Sequence, residues 1–421
     1  MLFANFAAFL LLGNAVSSFG LQWGCVKKGV VIDGIEVGGM SYARAERLLR
    51  ENLQQRLAPL IIHAPSGDLV VDRELTLTDN AAYLVRKAKT GQHFTVSYTR
   101  QWAEMESSLL ELCMQNARLA EDAELSFSSD GFCYTAQKPG LACEYSRLVS
   151  DVTATLPLGG EVVLHVREYE PNITEEILRE RTQTLASFTT FFDGSNLPRV
   201  HNIELAASRV AGCTLGPGEE FSFNACVGER TAENGFETAS IILDGEFVPG
   251  VGGGVCQASS TLFGAALRAG LTVKESHNHS LSVSYVPPSL DAMVSSVCDL
   301  KLVNPHPYPV FLNGRVSKGC VTFTVYGMPD GRKYETESVV LSRVTPPEPE
   351  LVEGERGMLR AAKEGIMSES YLTVYDSEGN LLSRTRIRRD SYAAVRAKIG
   401  ALPTEIPKED FEETDKETEL A

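Results

Sequence analysis

A cysteine placed just after three glycines is the residue of this chain best suited to covalent chemistry. The stretch Pro249 to Leu262 reads Pro-Gly-Val-Gly-Gly-Gly-Val-Cys-Gln-Ala-Ser-Ser-Thr-Leu. Gly252, Gly253 and Gly254 let the backbone take positive φ and approach another segment closely, because no Cβ intervenes. Past Cys256, the residues Ala258, Leu262, Ala265, Ala266 and Ala269 recur at three- and four-residue spacing and Gly270 follows. That pattern predicts a helix whose first turn holds the thiol. Unpaired N–H groups and the positive end of the helix dipole favour thiolate there, and can lower a cysteine from about 8.5 into the ~3.5–7.5 range. The same residues also fit a plainer arrangement, a tight turn into a buried helix with Cys256 as a small core side chain.

A nucleophilic thiol needs a base. The segment Glu275-Ser276-His277-Asn278-His279-Ser280 lies shortly downstream, in a chain with only seven histidines, and either His277 or His279 is a candidate. Asp291 would hold one ring N–H of such a histidine so that the other nitrogen faces sulfur, or else merely cap a turn. Cys256, His277 and His279 also suggest a metal site, but no fourth ligand is placed. The glycine run lacks the Gly-Lys-Ser/Thr ending of a phosphate-binding loop, and no CxxC pair occurs. No cofactor is expected.

These residues must be delivered by the elements around them. Ile241 to Leu243, a turn at Asp244-Gly245, and Phe247-Val248 predict a hairpin that leads the backbone into the glycines. Upstream, Asn202 to Cys213 reads as a short helix and Gly216 to Asn224 as a turn into a strand. Downstream, Leu281 to Val286 alternates as a strand, and Asp299 to Val303, Tyr308 to Leu312 and Val321 to Tyr326 predict antiparallel strands. Pro171 to Thr190 reads as a charged, helix-like connection capped by Thr174. Nearer the N-terminus, two hairpin-and-helix units are expected. The first spans residues 29 to 89. The second is built from Leu125 to Phe127, Cys133-Tyr134, a helix near Glu144 to Thr155 and a strand at Val162 to Val166. The fold class is α+β and multidomain.

At 421 residues, the chain exceeds one ordinary core. A formal charge of −16 excludes nucleic acid and anionic membrane surfaces as partners, since both select basic patches. Residues 1–24 read as a signal peptide or membrane anchor, so any membrane contact is expected through that segment alone. The nine cysteines are an odd number, which leaves at least one thiol unpaired within an exported chain. Pro346-Pro347-Glu348-Pro349 marks a linker over residues 329–349, and a small β-rich module is expected at 350–400. The acidic residues 401–421 read as a disordered tail.

The segment from about His201 to Tyr326 resembles the VanW family of bacterial envelope proteins. The likeness rests on Gly216-Pro217-Gly218-Glu219-Glu220-Phe221-Ser222-Phe223-Asn224, on Gly252 to Leu262, on His277-Asn278-His279-Ser280 and on Asp291-Ala292. It implies a VanW domain over 171–328, preceded at 25–170 by a region similar to the peptidoglycan-binding YoaR type and followed by a G-five-like module. The resemblance further implies extracytoplasmic work on peptidoglycan stem peptides, as an L,D-transpeptidase or as a noncatalytic wall-binding or glycopeptide-resistance accessory protein. On the first alternative Cys256 is the nucleophile and His279 the preferred base. Gly253, Gly254, Gln257, Ser259 and Ser260 are then candidates for oxyanion and substrate binding. Two departures stand out: Ser276 where many relatives carry arginine, and Ser289-Leu290 in place of a glycine-containing turn.

Overall fold

The computed structural model describes residues 24–243, 246–353 and 357–401. The expected signal or anchor, the Asp244-Gly245 turn and the acidic tail past Ala401 lie outside the described residues. Helices and strands both contribute, and the chain is α+β. It divides into two compact units, residues 1–122 with 137–172, and residues 123–136 with 173–421. Among the described residues, no helix is long and apolar enough to cross a membrane.

The first unit has two apolar clusters. In one, Ala45, Leu49 and Leu53 of the helix Tyr42–Arg56 meet Val30, Ile32 and Val37 and the short helix Ala81–Lys87. In the other, the strand Leu60–His63 pairs in parallel with Gly160–Val163 and is backed by the helices Met105–Asn116 and Tyr145–Thr155. The expected second unit loses its hairpin. Glu124–Ser128 and Gly131–Thr135 do pair, but they belong to the other unit, where the rings of Phe127 and Phe132 pack edge-on against Phe311. Aromatic side chains on a two-stranded ribbon are better buried against a third partner than left to the ribbon alone.

The second unit is organised on a four-stranded antiparallel sheet in the order Gln183–Phe191, Cys320–Gly327, Val310–Ser317, Cys213–Leu215. The helices Leu197–Val210 and Val255–Arg268 bury apolar residues in one core with that sheet. Of the second helix, Val255 and every residue from Gln257 to Leu267 are buried. Gly264 is there for contact: a Cβ would stand 2.4 Å from the Phe188 ring. Thr174 caps a helix as expected, accepting from the Ile177 N–H, but the helix ends at Glu180 and the rest of the connection is strand. Its alternating Thr, Ser and Phe residues fit a pleated surface better than a helix.

Two further expectations change. Leu281 to Val286 is not a strand: Leu281 and Val286 are buried while Ser282 to Tyr285 line a cavity, so the alternation marks a cavity wall with no ladder partner. The stretch expected as a linker is mostly the strand Lys333–Val344, paired residue by residue with Gly365–Tyr375, which in turn pairs with Leu381–Tyr392. Residues 329–332 and the proline-rich residues 345–349 lie outside it.

Candidate active site

The hairpin of Thr238–Leu243 and Glu246–Val251 runs directly into the glycine corner, as its sequence suggests. Gly252 has φ +85° and Gly254 has φ +111°, and Gly254 caps the helix Val255–Arg268. Gly253 is required for close approach, since a Cβ would fall 2.6 Å from the Ser240 carbonyl oxygen. The buried amide of Asn202 pins the corner by donating to the Gly253 and Glu237 carbonyls at 3.0 and 2.9 Å and accepting from the Glu237 N–H. Cys256 is thereby the second residue of the helix. The Val255 and Gln257 N–H groups fold back onto Gly252 and Gly254. By position the Cys256 N–H lacks an intrahelical acceptor.

His279 and Asp291 meet Cys256. The Asp291 carboxylate accepts from His279 Nδ1 at 2.6 Å and from the His279 N–H at 2.8 Å. That fixes the ring so that Nε2 is the nitrogen left to act on the neighbouring Cys256 thiol. His279 and Asp291 are both buried, while Cys256 is half-buried with Sγ 3.4 Å from the Val294 carbonyl. Burial works against charge on each of the three, and the hydrogen bonds and charges of the others outweigh it. The Cys256 thiol is held below its ordinary value by His279, with a contribution from Arg230. His279 is raised to about 9 by Asp291 and Cys256. Asp291 is held below the usual carboxylate range by His279, Arg388 and Tyr392. These directions favour a thiolate–imidazolium pair over the neutral pair.

The other candidates have different places. His277 turns to Glu275, Nε2 to Oε1 at 3.1 Å, and does not join Cys256. Among the described residues, no set of three His, Cys, Asp or Glu side chains converges as a metal cluster. Gln257 uses both amide hydrogens, on Thr190 Oγ1 and the Phe191 carbonyl, and its oxygen accepts from Arg199 at 2.8 Å. It locks the helix to the sheet and has no donor left for an oxyanion. Ser259 and Ser260 are buried and tie the helix to Ala292: Ser259 Oγ donates to its carbonyl at 2.6 Å and Ser260 Oγ accepts its N–H at 2.9 Å. They tie the helix that carries Cys256 to the segment that carries Asp291.

Sequence reasoning missed the support of Asp291 entirely. Arg388 Nη2 donates to Asp291 O at 2.7 Å and to Oδ1 at 3.1 Å, and the Tyr392 hydroxyl donates to Oδ1 at 2.6 Å. Both side chains come from the strand Leu381–Tyr392. The two departures noted above fall under the same strands. Arg388 Nη1 reaches Ser276 Oγ at 3.3 Å. Ser289 sits at φ +63°, a left-handed conformation that glycine adopts freely and serine does not. Its N–H donates to Tyr392 Oη at 2.6 Å and its Oγ pairs with Ser368 Oγ at 2.7 Å. No local motif points to Arg388 or Tyr392, because they lie about a hundred residues from the carboxylate they hold.

In front of Cys256 lies a cavity of about 820 Å³, lined by the glycine corner, Arg199, Asn224, Arg230, Tyr285 and Lys363 among others. Residues 198–326 match the family model described as VanW like protein. Over 158 residues the chain is 42% identical to the uncharacterized protein YoaR of Bacillus subtilis, covering 37% of this chain and 52% of that protein. It is 31% identical over 112 residues to the vancomycin B-type resistance protein VanW of Enterococcus faecalis, covering 25% of this chain and 41% of that one. The matches thus span about half, or less, of each relative's length.

Proposed function

Since residues 198–326 form a VanW-like domain, we propose that this chain works in the bacterial cell envelope and that Cys256 performs acyl transfer on peptidoglycan stem peptides, as an L,D-transpeptidase does. The observation that carries the reading is the buried Cys256–His279–Asp291 relay opening on a cavity.

The Cys256 thiolate attacks the carbonyl carbon of the donor peptide bond, and backbone N–H groups at the Gly254 corner receive the oxyanion. Collapse of the tetrahedral adduct breaks the C–N bond, and the His279 imidazolium gives its proton to the departing amine, the terminal D-alanine of a tetrapeptide. A thioester remains. A neighbouring stem's amine then attacks it, neutral His279 takes the amine's proton, and the thiolate leaves, which restores the ion pair. An oxyanion donor of this kind contributes ~100- to 1,000-fold in rate, and a positioned acid–base ~100- to 10,000-fold.

A second reading has its own support. One relative is named as a vancomycin resistance protein, and its name gives no reaction. The comparisons therefore favour a noncatalytic wall-binding or glycopeptide-resistance accessory role more directly than they favour catalysis. Incubating the purified chain with disaccharide-tetrapeptide separates the two. Acyl transfer requires a covalent adduct on Cys256 with loss of alanine by mass spectrometry, absent in Cys256→Ser. Rapid alkylation of Cys256 with no adduct and no released alanine would leave the accessory role.

A further inference from the structure

The cavity before Cys256 is cationic in a chain that is acidic as a whole. Among the described residues, its charged lining besides His279 consists of Arg199, Arg230 and Lys363 against the carboxylate of Glu229, whereas the chain carries a formal charge of −16. Each of the three cations makes a hydrogen bond. Arg199 donates to Gln257 Oε1, and Lys363 Nζ donates to the Ser282 carbonyl. Arg230 differs. Its Nη2 donates to Asn224 Oδ1, while its Nε is buried and has no hydrogen-bond partner among the described residues. Asn224 is itself fixed, donating to the Ser295 and Cys298 carbonyls at 2.9 Å each. Arg230 flanks the glycine corner so closely that a Cβ on Gly252 would come within 2.9 Å of Arg230 Cβ.

A buried guanidinium N–H without an acceptor is costly and calls for a partner. The planar fork of N–H donors suits a carboxylate, which can accept two of them side by side. We propose that Arg230 is an anion subsite that binds a free carboxylate of the acyl donor close to the carbonyl that Cys256 attacks, so that the site selects carboxylate-bearing peptides over their amidated or esterified forms. The inference rests on Cys256 being the nucleophile proposed above.

Two small alkylating reagents test the subsite separately from the nucleophile. Iodoacetate carries a carboxylate and iodoacetamide does not, and both consume the same thiolate, so the ratio of their rates at Cys256 cancels any change in thiolate population. The rates are read on the intact chain at neutral pH by mass spectrometry of the Cys256 peptide, with glutathione as reference thiol. The iodoacetate-to-iodoacetamide ratio should exceed that of glutathione by roughly tenfold, the low end of what a focused cationic cleft does to local anion concentration. It should fall as salt is added.

Arg230→Met should bring the ratio down to the glutathione value, and Arg230→Lys should keep part of the preference while losing the fork. A ratio unchanged in Arg230→Met, in a variant with native circular dichroism, overturns the proposal. So does loss of the preference in Lys363→Met alone, which would move the anion to the lysine. Slow iodoacetamide alkylation of the unaltered chain would instead count against Cys256 as a nucleophile, whatever the ratio.

Discussion

Cys256 and Cys113 are two thiols on helices that the fold treats in opposite ways. Cys113 lies in the last turn of the helix Met105–Asn116, where burial and the neighbouring Cys143 push it up to about 11. Cys256 is the second residue of its helix and is shifted downward although burial opposes it. The helix dipole works against a thiolate at the first position and for it at the second. The larger difference is the neighbour. Cys113 has a second thiol, which can offer no positive charge, and Cys256 has an imidazolium raised to about 9. Burial alone disfavours a thiolate; burial beside a fixed cation can favour it.

Removing that cation should erase the contrast. In His279→Ala, Cys256 keeps its helix position but faces burial without compensation, and its thiol should rise toward the behaviour of Cys113. Acyl transfer should drop by ~100- to 10,000-fold, and iodoacetamide labelling at neutral pH should fall with it. Labelling that stays fast in this variant would mean that the helix terminus, and not His279, sets the thiolate.

How far this site was legible in the sequence follows from where its parts lie along the chain. The glycine corner and the helix beginning at Val255 are encoded within a dozen residues, so period and φ requirements reveal them. His279 and Asp291 are readable as candidates because the loop that joins them is short and their types suit the chemistry. The same reasoning could not separate His279 from His277, since that choice depends on Asp291 and Glu275 each claiming one ring. It could not show that the polar side-chain atoms of Gln257 are engaged by Arg199 and the sheet, or that Ser259 and Ser260 are tied to Ala292. It read Lys333 to Val344 as linker because a strand of alternating charged residues buries little by itself; the pairing with Gly365–Tyr375 defines it.

A pH series sharpens the comparison with a smaller effect. Alkylation needs only the thiolate, whereas acylation also needs the proton on His279. Because Cys256 is depressed, its thiolate persists below the ordinary thiol range and is lost only as pH falls through the lowered value. Because His279 is raised, its proton persists well above the usual 6.5 and is lost as pH rises through about 9. The acyl-transfer rate should therefore fall about tenfold per unit above pH 9, while iodoacetamide labelling of Cys256 continues. The same signs apply to stability. The contribution of His279 is complete below about 6.5 and disappears through about 9, while that of the depressed Cys256 grows as pH rises toward the ordinary thiol value, so the two oppose each other and the unfolding temperature should change little across that interval. Parallel alkaline limbs for alkylation and transfer would show that one group governs both.

The smallest expected effect isolates the far end of the relay. Tyr392→Phe removes the hydroxyl that donates to Asp291 Oδ1 and accepts from the Ser289 N–H, and leaves the Arg388 contacts in place. A hydrogen bond to a charged group contributes about 1.5–3 kcal/mol, and much of that loss should appear as stability, since Ser289 is buried at positive φ. The part that reaches the chemistry does so through Asp291. A carboxylate with one donor fewer orients His279 less firmly, so His279 should titrate below about 9 and the Cys256 alkylation midpoint should move up. Each displacement should be under one pKa unit, since a unit corresponds to about 1.4 kcal/mol. A purely structural Tyr392 would lower the unfolding temperature and leave both midpoints where they are. Movement of the two midpoints toward each other identifies Tyr392 as a positioning residue, and makes the C-terminal strands part of what distinguishes Cys256 from Cys113.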